Sequence, residues 1–157
     1  ALREVLDGFE AGAPMVELRS GDWPALGPDA RTIRQAVFAE EQGIAAGLVC
    51  DDADAMALHV VAFNRLGMPV AGGRLLQAAP GVAQVGRMAT LATVRGAGLG
   101  RAVLDELLRT ARARGDHEVM LNAQTSAAPF YQRAGFVPRG ETFVAAGVPH
   151  VEMRRAL

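Results

Sequence analysis

A short glycine-rich segment between two arginines is the part of the sequence that points most directly to chemistry. It reads Arg95-Gly96-Ala97-Gly98-Leu99-Gly100-Arg101. Glycine has no side chain to cover its backbone N–H group, so several such groups can point at one anion. An amphipathic helical pattern starts at Leu99, and a helix N-terminus adds unpaired N–H donors and partial positive charge. Together with the two arginine charges, this segment could hold a pyrophosphate.

The glycine pattern taken alone leaves a plain tight turn as an alternative. Its spacing, G-x-G-x-G, differs from the G-x-G-x-x-G of dinucleotide-binding folds, and a hairpin precedes it where those folds have a βαβ unit. The segment also lacks the lysine and hydroxyl residue of a nucleoside-triphosphate loop. Both of these nucleotide-binding classes are therefore disfavoured.

Composition narrows the class of protein further. The chain has 157 residues, of which 50% are hydrophobic, and its net charge is −1. A single domain with its own core fits this length, and a nucleic-acid partner is not expected because no basic patch is visible. One cysteine, Cys50, excludes an internal disulfide and a multi-cysteine zinc site, so no metal is expected. No apolar run reaches the roughly 20 residues that span a bilayer, so we expect a cytoplasmic protein without a membrane partner.

The hydrophobic periodicity predicts the elements that position the glycine segment. Period-two patterns and turn residues predict strands at residues 16–19, 57–64, 70–77, 82–91, 118–123, 136–144 and 150–155. Helical spacing predicts helices at residues 29–42, 99–114 and 126–134. This order predicts a mixed α/β sheet flanked by helices, in one domain spanning residues 15–157. We expect residues 1–14 to be an N-terminal extension outside that domain.

Two motifs together resemble a known family. The segment from Arg95 to Gly100 looks like the R/Q-x-x-G-x-G/A signature of the GNAT superfamily of N-acetyltransferases, and the strand and helix around it match that family's arrangement. Some thirty residues later, Ala128-Pro129-Phe130-Tyr131-Gln132-Arg133-Ala134-Gly135-Phe136 resembles the family's A-x-x-F-Y-x-x-x-G-F element. Residues 34–43, 54–61, 121–124 and 147–150 are similar to one bacterial subgroup, so the resemblance covers most of the chain from about residue 15.

The resemblance implies the fold and the position of the cosubstrate. It implies a mostly antiparallel sheet of six to seven strands with a central, splayed parallel pair, and acetyl-CoA as the cosubstrate. The CoA pyrophosphate would lie on the amides of Gly96, Ala97, Gly98, Leu99, Gly100 and Arg101, beside Arg95. The pantetheine arm would pair with Met88, Ala89 and Thr90, where an amide could stabilise an oxyanion. Asn122 on the neighbouring strand could bond the pantetheine amides.

The resemblance also implies catalytic groups. Tyr131, the only tyrosine, matches the family's proton donor to the leaving thiolate; a core tyrosine bonded to backbone is the alternative. A lysine-type amine, with a pKa near ~10.4, must lose a proton before it attacks. Our preferred base is Glu41, because its segment resembles the acceptor side of the subgroup. The other acidic residues nearby have three alternative roles: they could act as bases through water, bind a cationic substrate, or be solvated surface groups. They are Glu40, Asp51, Asp52 and Asp54.

The expected activity is transfer of an acetyl group to a primary amine of a small molecule or peptide, by direct attack in a ternary complex. Glu40, Gln124 and His150 are the expected substrate-binding residues. The alternative is a catalytically silent CoA-binding regulatory module, which the presence of Tyr131 disfavours. Dimers are common in the family, so a homodimer is one expectation. The identity of the acceptor amine is not readable from these motifs.

Overall fold

The structure is a computed structural model that describes residues 16–157. The extension expected at residues 1–14 lies outside this part of the chain. Three α-helices are described: α1 Trp23–Arg34, α2 Leu99–Ala113 and α3 Ala128–Arg133. Seven strands are described: β1 Glu17–Gly21, β2 Leu58–Phe63, β3 Pro69–Ala79, β4 Val82–Thr90, β5 Glu118–Gln124, β6 Val137–Ala145 and β7 Val148–Ala156.

The seven strands form one sheet in the order β1-β2-β3-β4-β5-β7-β6. Every neighbouring pair is antiparallel except β4 and β5, which run parallel. Their pairing starts at Val82 and Glu118 and stops at Val85 and Leu121. The ends of both strands beyond these residues are unpaired with each other. The predicted mixed sheet with a splayed parallel pair is therefore confirmed.

Helices cover both faces of the sheet. One face packs against α2, whose apolar side chains recur every three or four residues and are all buried: Leu99, Val103, Leu104, Leu107, Leu108 and Ala111. The other face packs against α1 through Leu26 and Ile33, which cluster with Val61 and Phe63 of β2 and Ala89 of β4. Burial of these two apolar surfaces fixes the strands that border the site.

A bulge in β4 reverses the alternation of its side chains. Gly72 of β3 pairs with Ala89, yet Arg74 pairs with Gly86, so β4 has one extra residue here. As a result Val85 packs in the α2 cluster whereas Ala89, four residues on, packs in the α1 cluster. Arg87 lies inside the bulge with a φ of +53°, in the left-handed region that non-glycine residues rarely adopt.

The first helix differs from the sequence prediction. It starts at Trp23 instead of residue 29, because Asp22 caps it by accepting a hydrogen bond from the Ala25 amide at 3.0 Å. The helix continues through Pro28, and its predicted last part, Gln35–Glu41, is π-helical. A wide turn of this kind is rare and often occurs at functional sites. It carries Glu41 to the edge of the sheet opening.

Candidate active site

A cleft of about 1000 Å³ lies at the opening between β4 and β5. Phe130 and Tyr131 of α3, which pack with the α2 cluster, contribute to its lining. Val37 and Phe38, which pack with the α1 cluster, also line it. Because these two clusters cover opposite faces of the sheet, the cleft passes through the gap where β4 and β5 separate.

The glycine segment forms part of the cleft wall. Gly96 and Gly98 have φ values of +86° and +81°, which favour glycine, and a Cβ added to either would meet no atom within 4 Å. Gly98 is the N-cap of α2, and no side chain from residues 16–157 caps that helix. Its first backbone N–H groups are therefore free for a ligand. Leu99, Gly100 and Arg101 complete the lining on this side, whereas the exposed Ala97 does not belong to it.

Arg95 connects the glycine segment to Glu41. Its Nε donates to the Thr90 carbonyl at 3.0 Å, and its two terminal nitrogens donate to the Glu41 carboxylate at 2.5 and 2.6 Å. These hydrogen bonds lower the pKa of Glu41, so the carboxylate is a weaker proton acceptor while the pair is intact. Arg101 donates to Asp105 at 2.9 Å, one helical turn away.

The strand side of the cleft carries the residues expected to contact pantetheine. Met88, Ala89 and Thr90 follow the bulge, and Asn122 is exposed on β5 across the gap; all four line the cleft. Since β4 and β5 do not pair beyond Val85, the β4 backbone groups that face the gap are not used by β5. An extended ligand could take their place as an added strand.

Tyr131, on α3, belongs to the cleft lining and is 8% exposed. Its ring packs edge-on against Phe130 and Phe136, with centroids 5.0 and 5.9 Å away. Burial raises the pKa of the Tyr131 hydroxyl, so the group keeps its proton at neutral pH. Among residues 16–157 we find no hydrogen bond to this hydroxyl, and Tyr131 is one of the residues that line the cleft. It is a protonated donor available to a ligand.

The three residues expected to bind substrate have different positions. Gln124, at the end of β5, donates to the Gln42 side chain at 2.8 Å and lines the cleft. His150, its register partner on β7, also lines the cleft and stacks on Phe143 with centroids 5.8 Å apart. Glu40 is exposed and does not line the cleft. Glu41, Gln124 and His150 are thus brought together, and Glu40 is not.

A charged network beneath the cleft was missed by the sequence reasoning. Asp54 is fully buried and accepts hydrogen bonds from Arg34 at 2.9 Å and Arg74 at 3.0 Å. Arg74 also makes a two-pronged contact with Asp51, at 2.5 and 3.0 Å. Burial would raise the pKa of Asp54, but the hydrogen bonds and charge of its partners lower it to about 2.

This network changes the interpretation of the acidic cluster. Asp51 and Asp54 neutralise arginines, so neither is free to bind a cationic substrate, and Asp52 remains exposed. The available signal was Arg74 itself, a charged residue inside the otherwise small and apolar run Gly72-Gly73-Arg74-Leu75. A buried arginine requires a carboxylate, and the acidic residues at 51–54 provide it.

Two kinds of feature are absent from residues 16–157. No helix in this range is long and apolar enough to cross a membrane. Within the same range, no three histidine, cysteine, aspartate or glutamate side chains are grouped so that they could hold a metal ion.

Comparison with known proteins supports the resemblance noted in the sequence. The family model for the acetyltransferase (GNAT) domain matches residues 52–157. The uncharacterized N-acetyltransferase YjcF of Bacillus subtilis is 33% identical over 128 residues, covering 81% of this chain and 90% of that protein.

Solved structures show the same fold. An acyl-CoA N-acyltransferase from Pseudomonas aeruginosa is 28% identical, with a TM-score of 0.76 over 90% of this chain and 99% of that one. Escherichia coli ElaA is 26% identical, with a TM-score of 0.79 over the same shares. At these TM-scores and coverages both proteins share the fold of this chain. The chain therefore belongs to the GNAT family of acetyltransferases and is an acyltransferase.

Proposed function

We propose that this protein is an acetyl-CoA-dependent N-acetyltransferase that moves the acetyl group directly to a primary amine in a ternary complex. The observation that carries the proposal is that one continuous cleft through the sheet joins the open glycine segment to Tyr131 and to the polar residues near β7. A cosubstrate and an acceptor entering from opposite faces would meet in the gap. Direct transfer requires this meeting.

The residues of the chain fit acetyl-CoA. The left-handed glycines Gly96 and Gly98 leave open space where a Cβ would stand, and the uncapped start of α2 offers N–H donors. These donors, with Arg95 and Arg101, would hold the pyrophosphate. Ala97 would contribute its backbone amide alone. Met88, Ala89 and Thr90 would pair with the pantetheine arm, and the Asn122 amide would bond it from β5.

The chemistry supplied by bound acetyl-CoA is an acyl group activated as a thioester. A backbone N–H of Ala89 or Thr90 would donate to the carbonyl oxygen as its negative charge grows. A C–N bond forms and the C–S bond breaks, so the amine nitrogen loses a proton and the sulfur gains one. Tyr131 would donate that second proton, because burial keeps its hydroxyl protonated.

Glu41 remains our proposed base, provided that its hydrogen bonds with Arg95 are broken during the reaction. Arg95 lowers the pKa of the carboxylate while the two are paired. A pyrophosphate on the glycine segment would compete for Arg95 and thereby release Glu41. The freed carboxylate could then accept the amine proton, directly or through water.

Gln124 and His150 would orient the acceptor. Glu40, which lies outside the lining, would be reached only by an extended acceptor such as a peptide. We further propose that the protein works in the bacterial cytoplasm, where acetyl-CoA is available. The relatives compared above come from bacteria.

Isothermal titration with acetyl-CoA tests the cosubstrate site. Wild-type protein should bind saturably, and Gly98→Trp should not, because the indole would occupy the open face of the glycine segment. Gly67→Trp is the matched control: Gly67 has a φ of +77°, close to that of Gly98, and equally open surroundings, but lies in the β2–β3 turn.

This titration, combined with an assay of thiol release, distinguishes the acetyltransferase from the catalytically silent CoA-binding module. A control variant that binds like wild type, with thiol release over a panel of amines, supports the acetyltransferase. Saturable binding without thiol release from any amine would favour the silent regulatory module. Folded wild-type protein that does not bind acetyl-CoA would refute the proposal.

A further inference from the structure

Arg87 points a partly unused guanidinium at the cleft. Its Nε donates to the Val49 carbonyl at 3.1 Å, and one terminal nitrogen, Nη2, donates to Asp51 at 3.1 Å. The other terminal nitrogen, Nη1, makes no hydrogen bond within residues 16–157. The side chain is 28% exposed and contributes to the cleft lining. One terminal nitrogen of a planar, always-charged donor is therefore available to a ligand.

The surroundings of Arg87 contain more positive than negative charge. The network around Asp54, which is buried except at Asp51 and Arg87, has three arginines, Arg34, Arg74 and Arg87, and two carboxylates, Asp51 and Asp54. Burial and the neighbouring charge of Arg74 lower the pKa of Arg87, as expected where negative charge is in short supply. The charged residues that line the cleft are similarly unbalanced, with one glutamate against five arginines: Glu41, Arg74, Arg87, Arg95, Arg101 and Arg133.

The position of Arg87 separates it from the expected phosphate site. Three strand residues lie between Arg87 and the loop that leads to the glycine segment. At about 3.3 Å per residue, the distance between them along the strand is roughly 10 Å. Ala89, whose amide would face the reacting carbonyl, is two residues away, or roughly 7 Å along the strand. An anion at Arg87 would thus lie within the length of a small molecule from the attacking amine.

We propose that the acceptor carries a carboxylate as well as its amine, and that Arg87 binds this carboxylate. The guanidinium matches a carboxylate in shape and charge, and the bound anion would supply the negative charge that the network lacks. The inference rests on the proposed function and narrows it, since it favours amino-acid-like small molecules over polyamines. Arg87 is on this basis a specificity-determining residue.

Pairs of acceptors that differ only in the carboxylate test this inference. Thiol release with saturating acetyl-CoA would be compared for tyrosine and tyramine, histidine and histamine, arginine and agmatine, and phenylalanine and its carboxamide. In wild-type protein we expect kcat/KM to be about tenfold or more higher for the carboxylate member of the accepted pair. Arg87→Asn should bring the ratio close to one, and Arg87→Lys should keep part of it.

The variants are chosen so that folding does not obscure the result. Asparagine tolerates the left-handed backbone of Arg87, and Arg87→Gly, which has no strain at this φ, is a second neutral variant. Arg139→Asn, on the exposed strand β6 and outside the cleft lining, is the matched control and should keep the wild-type ratio. Circular dichroism and acetyl-CoA titration would establish that each variant is folded.

A binding measurement keeps this inference distinct from the proposed function. Titration of N-acetyl amino acids against their carboxamides requires no turnover and no acetyl-CoA, and wild-type protein should bind the acid forms only. If the protein prefers the acid forms but does not bind acetyl-CoA, the proposed function is refuted and the carboxylate site is not. The proposed carboxylate site would be refuted if the wild-type protein showed no preference for the acid in either measurement. It would also be refuted if a neutral Arg87 variant kept the preference.

Discussion

Removing the charge of Asp54 should destabilise the protein strongly. Its carboxylate is the shared acceptor for Arg34 and Arg74, which are 2% and 6% exposed. In Asp54→Asn an amide of the same shape leaves both guanidinium groups buried with one compensating charge fewer. Its NH₂ group also faces donors where the carboxylate offered an acceptor. Loss of one partner from a buried ion pair generally costs about 3–5 kcal/mol.

The pKa of Asp54 gives an independent estimate of the same quantity. A decrease from 3.8 to about 2 corresponds to about 2 kcal/mol of stability above pH 5. We therefore expect Asp54→Asn to lower the free energy of unfolding by about 2–5 kcal/mol at pH 7. Since the folded-state pKa is lowered, the wild-type contribution is complete above about pH 5, begins to decline near the unfolded-state pKa of 3.8 and is largely lost as the pH falls toward 2. The difference between the proteins should narrow by about 1 kcal/mol at pH 3.

Urea unfolding followed by circular dichroism at pH 7, 5 and 3 would measure this difference. Asp52→Asn is the control, because Asp52 is an exposed carboxylate two residues away and should change stability little. A cost below about 1 kcal/mol at pH 7 would contradict the compensating role of Asp54. A cost that stays constant from pH 7 to pH 3 would contradict the lowered pKa.

Two predictions concern the proposed chemistry. Tyr131→Phe keeps the edge-on packing against Phe130 and Phe136, so the acetyl-CoA affinity measured by titration should be unchanged. The kcat for thiol release should fall about 100-fold, because the proton donor is lost. An unchanged kcat would show that Tyr131 is not the proton donor. Glu41→Gln removes the partner of Arg95, so acetyl-CoA should bind at least as tightly, while kcat/KM for the amine at pH 7 falls about tenfold or more. Full activity of the glutamine variant across the pH range would show that another group accepts the amine proton.

The elements that carry the site were predictable because local rules decide them. The six apolar residues of α2 share one helical face, and all are buried as the periodicity predicts. Gly96 and Gly98 stand where the backbone is left-handed, a conformation that favours glycine, and the anion-binding role of this loop stays a prediction. Asp22, by contrast, was available as a cap before Trp23, but Pro24 and Pro28 obscured the helix start in the pattern.

The partners of charged residues were not predictable, since they depend on segments distant in sequence. Glu41 is 54 positions from Arg95, and Arg74 is 23 from Asp51. Sequence alone therefore leaves each carboxylate with several roles, as a base, a cation ligand or a solvated surface group. Tertiary packing pairs Asp54 with buried arginines and Glu41 with Arg95, and of these two carboxylates only Glu41 lines the cleft.

The one extra residue in β4 at the Arg87 bulge affects both the packing of the sheet and the opening of the cleft. The extra residue moves the side chains of Met88 and Ala89 to the faces opposite those that regular alternation would give, so Ala89 packs under α1. It also coincides with the point beyond which β4 no longer pairs with β5, which opens the gap. A non-glycine residue in the left-handed region costs about 1–2 kcal/mol. Glycine would avoid that cost, but it would lose the side chain that donates to Val49 and Asp51 and lines the cleft. The strained backbone at Arg87 is thus consistent with a role for its guanidinium in binding the acceptor.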